Sequence, residues 1–129
     1  AQKFSKKLIL SSIYLARGVV ICIFIFLPPS PIVAIFFGIT FGFLWLSTVP
    51  PTMGLVGFIF GTKYIGLLYG IVFLSHQIGS FFGAYLGGVF HDLYGSYNYA
   101  WYISVVLSIF AGLIHLPIKE EQVKRLQIA

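Results

Sequence analysis

Acidic side chains are almost missing from this chain: three Asp and Glu stand among 129 residues, and charged residues of both signs make up only 9%. A soluble domain carries about 25% charged residues, so this chain cannot cover itself with a water-facing surface. Cysteine is reduced to Cys22, inside an apolar run, where it reads as a packing residue. One cysteine excludes an internal disulfide and supplies no metal motif. His76, His91 and His115 are far apart along the chain and lack ligand spacing, so neither a metal site nor a cofactor is expected. No phosphate-binding glycine loop is present, which leaves ATP-driven pumping unsupported. No enzyme activity is expected.

What is present is apolar and aromatic. Hydrophobic residues make up 59% and aromatics 19%, mostly Phe, and the mean hydropathy is +0.99. Such aromatics suit lipid-facing and headgroup-level positions. A net charge of +5 would suggest nucleic acid in a soluble protein. Here the basic residues flank apolar runs, so they read as topology signals and contacts to lipid headgroups, and no nucleic-acid partner is expected.

The first apolar run, Leu8 to Leu27, is followed by Pro28, Pro29 and Pro31. Twenty residues at about 1.5 Å each span about 30 Å, the thickness of a bilayer's hydrocarbon core. The run follows Lys3, Lys6 and Lys7 but is too long for a signal peptide and has no small-residue cleavage site after it. The start at Ala1 without Met suggests a piece of a longer protein. The second run, 32–60, contains Pro50 and Pro51 and is expected to be a helix broken or kinked there. Ser47, Thr48 and Thr52 are placed to satisfy the backbone groups that the prolines free, since lipid offers no partners. The third run covers 64–90, and His91 to Tyr99 reads as a polar, aromatic loop. The fourth covers 100–116 and stops at Pro117, leaving a charged tail, 117–129, expected to be a short interfacial helix or disordered. The fold class is therefore all-α: a polytopic membrane bundle with four transmembrane helices in a single domain, 1–129.

Charge agrees with parity. With four crossings, Lys3, Lys6, Lys7, Lys63, Lys119, Lys124 and Arg125 all fall on one side, and the two loops opposite hold no Lys or Arg. By the positive-inside rule both termini are expected in the cytoplasm.

Arg17 is the eighth basic residue and sits mid-span in the first run, with no Asp or Glu inside any of the four runs. An arginine at the bilayer centre costs about 2.5 kcal/mol or more, so it needs a partner or a task. Carbonyls, water, an acid elsewhere and an anionic solute are all open, and a carboxylate or carbonyl partner on a neighbouring helix is the simpler reading. His76 and Gln77, with Ser75 and Ser80 beside them, lie near the centre of the third run. Such a polar cluster must face the bundle or a cavity. His76 is either a hydrogen-bonding strut or a solute or proton site, since imidazole changes charge near neutral pH. Gln77 and Ser80 read more simply as interhelical hydrogen-bonding groups. Gly79, Gly83 and Gly87 repeat at four-residue spacing, which bares one helix face for close packing against another helix. Trp45, Trp101 and the tyrosines read as interfacial anchors.

Two segments resemble a known family. Phe4 to Leu10, FSKKLIL, is similar to a degenerate copy of the loop motif before helix nine of the major facilitator superfamily. Gly79 to Ser104 resembles the end of the monocarboxylate-transporter-like branch, with Gly87, Gly88, Asp92, Gly95, Ser96 and Tyr97 in the places of its G-G-x-x-x-D-x-x-G-S-Y pattern. Trp45 to Gly83 also looks like bacterial members of that branch. The resemblance implies helices nine to twelve of a twelve-helix secondary transporter in a bacterial inner membrane. Such a transporter would carry a small solute, an organic anion such as a monocarboxylate. Helices ten and eleven would border the pathway, which favours His76 and Gln77 over Arg17. Its partners would be lipid, the solute and the remaining helices of the same transporter. Three other readings are weaker. A complete small multidrug transporter relies on an intramembrane acid that is absent here. A haem or enzyme subunit needs histidines at facing depths. A structural subunit that packs by its glycines, without transport, is opposed only by the resemblance.

Overall fold

A computed structural model describes residues 5–123. The described residues form five helical segments and no strand: α1 (Lys6–Phe26), α2 (Pro31–Leu46), α3 (Val49–Phe60), α4 (Ile65–Tyr94) and α5 (Asn98–Ile114). α2 and α3 together make one 30-residue apolar span, so the chain crosses back and forth as four rods. α1, the α2–α3 rod and α4 are long and apolar enough to cross a membrane. α5 has 17 residues, about 25 Å at 1.5 Å per residue. The fold is an all-α polytopic membrane bundle.

Local chemistry sets the ends. α1 stops before Pro28 and Pro29. Ser30 then caps α2 by accepting from the Val33 N–H at 3.2 Å, with Pro31 at the first helical position, where its missing N–H costs nothing. The interruption of the second rod falls at Ser47 and Thr48, just before the two prolines. Hydroxyls cover carbonyls around it: Ser47 Oγ donates to the Phe43 carbonyl, Thr48 Oγ1 to Trp45 and Thr52 Oγ1 to Thr48, each at 2.7 Å. The segment His91–Tyr99, expected as a loop, is mostly helix. α4 continues to Tyr94, and the turn is left to Gly95, Ser96 and Tyr97. Gly95 closes α4 in the left-handed conformation, φ 66°, with its N–H on the His91 carbonyl at 2.7 Å. A side chain would be strained there, which makes glycine the stop signal.

α1 and α5 form the tightest pair. Leu10 and Ile21 are buried between the helices, Gly18 lies against Ser108, and Gly112 lies against Leu15 and the Ser11 carbonyl. Ser11 Oγ donates to the Gly112 carbonyl at 2.7 Å. Leu55 of α3 is also buried, and most other large apolar side chains are exposed, as a surface against lipid or further helices requires.

The two ends of the described chain meet. Glu120 Oε1 accepts from Ser5 Oγ at 2.7 Å and from the Lys7 N–H at 2.6 Å, and Lys7 Nζ reaches the Leu116 carbonyl at 3.2 Å. The Val123 N–H donates to the Ile59 carbonyl at 2.8 Å, covering the C-terminal end of α3. The tail up to Val123 is therefore neither helical nor loose; it is tied to α1 and α3. Burial alone would raise the Glu120 carboxyl slightly. The Lys7 and Ser5 hydrogen bonds and the charges of Lys6 and Lys7 outweigh it and hold the group below the usual carboxylate range. Lys3, Lys124 and Arg125 lie outside the described residues.

Candidate solute site

α1 and α4 do not pack closely on each other, and the interruption between α2 and α3 lies beside the gap. A pocket of about 340 Å³ opens there, lined by Tyr14 and Arg17 of α1, Trp45 of α2, Thr48, Val49 and Thr52 around the break, and Tyr69, Val72, Phe73 and His76 of α4. Arg17 and His76, far apart in sequence, thus line one pocket. Trp45 connects them. The Arg17 guanidinium carbon is 5.1 Å from the Trp45 ring and 5.1 Å from Phe41, with Tyr14 at 5.5 Å. The other side of Trp45 meets the His76 ring edge-on at 5.4 Å.

This placement revises three expectations. Arg17 meets neither a carboxylate nor a helix partner through Nε, which is buried without a hydrogen-bond acceptor among the described residues. It meets aromatic faces instead. Trp45 is not an interfacial anchor: it stands midway along the 30-residue span Pro31–Phe60. The signal for it was its four-residue spacing from Phe37 and Phe41, an aromatic stripe leading toward mid-membrane, with Phe37 and Phe41 stacked at 5.2 Å. Trp101 also packs inward, edge-on to Phe24 at 5.4 Å and to Phe37 at 5.6 Å.

Gln77 and Ser80 lie outside the pocket, exposed on α4. Gly79, Gly83 and Gly87 also line open space among the described residues: a methyl group added at any of them meets nothing within 4 Å. Close contact is carried by Gly57, whose added methyl would stand 3.0 Å from Ile65, and by Gly18 and Gly112 between α1 and α5. Spacing did not single out Gly18 or Gly112, because neither belongs to a repeat on its own helix.

Energetics decide what Arg17 lacks. Three aromatic faces at about 0.5–2 kcal/mol each are comparable to the 2.5–3.5 kcal/mol or so that insertion scales assign to a mid-membrane arginine. The rings stabilise charge, but they do not replace an acceptor for an N–H. A buried donor left unmade costs about 1–3 kcal/mol. A second pocket of about 340 Å³, between α1 and α2, is apolar apart from Thr40 and has nothing to orient a polar solute. Among the described residues no group of acidic, histidine or cysteine side chains is placed to hold a metal ion.

Comparison with known proteins gives one decisive result. The family model described as Major Facilitator Superfamily matches residues 1–127. The chain belongs to the Major Facilitator Superfamily. No curated protein and no solved structure matches it. Membership accounts for the apolar rods and makes the chain an integral membrane protein of a transporter superfamily, in keeping with a role other than catalysis. The pocket between α1 and α4 is then the place in this superfamily chain where charge, hydroxyls and aromatic rings meet inside the membrane span.

Proposed function

We propose that this chain supplies helices nine to twelve of a twelve-helix secondary transporter that moves a small organic anion, a monocarboxylate in the simplest case. The observation that carries the anion is Arg17: a mid-membrane guanidinium in a pocket without any Asp or Glu, its Nε buried and without an acceptor. A carboxylate supplies the missing acceptor and neutralises the charge in one step. His76 and the hydroxyls of Thr48 and Thr52 make the rest of that wall polar. Gln77 and Ser80 belong to a neighbouring stretch of the route, and Gly79, Gly83 and Gly87 to the face that meets the transporter's other helices. The lysine-rich end, where Ser5, Lys6, Lys7 and Glu120 gather, is the cytoplasmic side of a bacterial inner membrane.

The test is uptake of radiolabelled organic anions by the intact transporter, at matched membrane expression. Arg17→Gln should reduce kcat/KM at least tenfold, a loss in the range of a charged hydrogen bond. Arg17→Lys should keep part of the activity, because it retains the charge and loses the paired geometry. Undiminished anion uptake by Arg17→Gln, or transport confined to cations, would overturn the reading.

A further inference from the structure

We infer that the solute is a monoanionic aromatic carboxylate bearing a hydrogen-bond donor on its ring, a hydroxybenzoate-like acid; this rests on reading the Arg17 pocket as an anion site. Four observations narrow the class.

The first is charge. One guanidinium serves the pocket, and no Asp or Glu lines it. A second carboxylate on the solute would find no second permanent cation among the described residues of the pocket. An α-ammonium group would find no anion and would stand near Arg17. Dicarboxylates and zwitterionic amino acids are both disfavoured on these grounds.

The second is the shape of the walls. With its carboxylate on Arg17, the solute's carbon body must lie among Tyr14, Trp45, Tyr69 and Phe73, with the His76 ring beside them. Any apolar body gains from such walls, but a flat ring gains more, because offset and edge-on ring pairs add roughly two- to tenfold in affinity beyond simple burial. The rings of this site already meet in such geometry: Trp45 and His76 lie at 62° to each other and Phe73 and His76 at 51°.

The third is size. A volume of about 340 Å³ is near the lower end of ligand pockets and has room for one ring and its substituents.

The fourth is the hydroxyls. Thr48 Oγ1 and Thr52 Oγ1 both spend their hydrogens on backbone carbonyls, of Trp45 and Thr48, at 2.7 Å each. What they offer a solute is acceptor lone pairs only. A solute that brings its own donor, a phenolic hydroxyl or an aryl amine, completes them. A short aliphatic acid brings neither a ring nor a donor.

The experiment uses the intact transporter, purified in liposomes, with four probes: benzoate, 4-hydroxybenzoate, cyclohexanecarboxylate and acetate. Each is measured for transport and for quenching of tryptophan fluorescence. The expected order of affinity is 4-hydroxybenzoate, then benzoate, then cyclohexanecarboxylate at least fivefold weaker than benzoate, then acetate. Phe73→Leu should shrink the benzoate-to-cyclohexanecarboxylate ratio toward one, while Arg17→Gln should weaken all four probes together. Equal affinity for the two six-membered-ring acids, or preference for acetate, would overturn the aromatic class and leave the anion site standing. Absence of binding by all four, or binding indifferent to Arg17→Gln, would overturn the anion site itself. The wild-type ratio carries the decision even where a variant fails to fold.

Discussion

Ser11 on α1 donates a hydrogen bond to the carbonyl of Gly112 on α5 across a contact so close that a methyl group on Gly112 would stand 2.8 Å from the side chain of Leu15. Two helices from opposite ends of the chain are joined there by small residues and one hydroxyl. Interhelical hydrogen bonds in membranes average about 0.6 kcal/mol. Most of the energy of this contact is therefore the packing that the missing side chain permits.

Gly112→Ala is accordingly expected to destabilise the bundle by about 1–3 kcal/mol, the usual cost of overfilling a packed site. Thermal unfolding in detergent measures it. Gly83→Leu is the informative contrast. Its added side chain meets nothing among the described residues, so the α1–α5 pair should be unaffected, while assembly with the rest of the transporter should fail. Equal loss of the α1–α5 contact in both variants, read by a cysteine crosslink between the two helices, would contradict this division of labour.

The tail contact has a pH signature. The Glu120 carboxyl lies below its ordinary range when folded, so its contribution is fully present above the unfolded value of about 4.3 and disappears as pH falls through the folded value. Glu120→Gln should lower the melting temperature by a few degrees at most at pH 7, because the group is largely exposed. The difference from wild type should close as pH falls through the folded value. A difference that persists at low pH would mean that the contact is held by something other than the ionised carboxylate.

The membrane orientation can be read by labelling. Lys63→Cys, in the turn between α3 and α4, should react with a membrane-impermeant maleimide only from the cytoplasm. Asn98→Cys, at the start of α5, should react only from outside. Reaction of both from the same side would end the four-rod topology.

His76 shares its pocket with Tyr14, Arg17 and Thr52 and touches the rings of Trp45 and Phe73. If it exchanges a proton during transport, His76→Gln should leave the protein folded and change the pH dependence of uptake. Uptake at each pH, normalised to surface expression, is the measurement. Superimposable profiles for wild type and variant would leave His76 as a wall of the pocket without a proton-coupling role.

The rods, their order and their charge asymmetry were legible along the chain, because hydropathy, proline breaks and lysine placement are local properties. So was the isolation of Arg17, since a search for a nearby acid needs only the residue list. The α4 overrun past Phe90 was not, because the polar residues His91 and Asp92 look like loop while Gly95 is what ends the helix. Three-dimensional packing alone decided the neighbours. Rotation of each helix about its axis turns Arg17 and His76 onto one pocket, sends Gln77 elsewhere, and draws Trp45 from a supposed membrane anchor into the space between them. It also decided which glycines matter for contact here. The spacing of Gly79, Gly83 and Gly87 announces a bare face without naming what lies against it. Gly18 and Gly112 announce nothing singly; Gly18 meets Ser108 and Gly112 meets Leu15 only because α1 and α5 run against each other. Periodicity specifies a surface; the partner of that surface depends on the crossing of two helices, and the crossing is a property of the whole bundle.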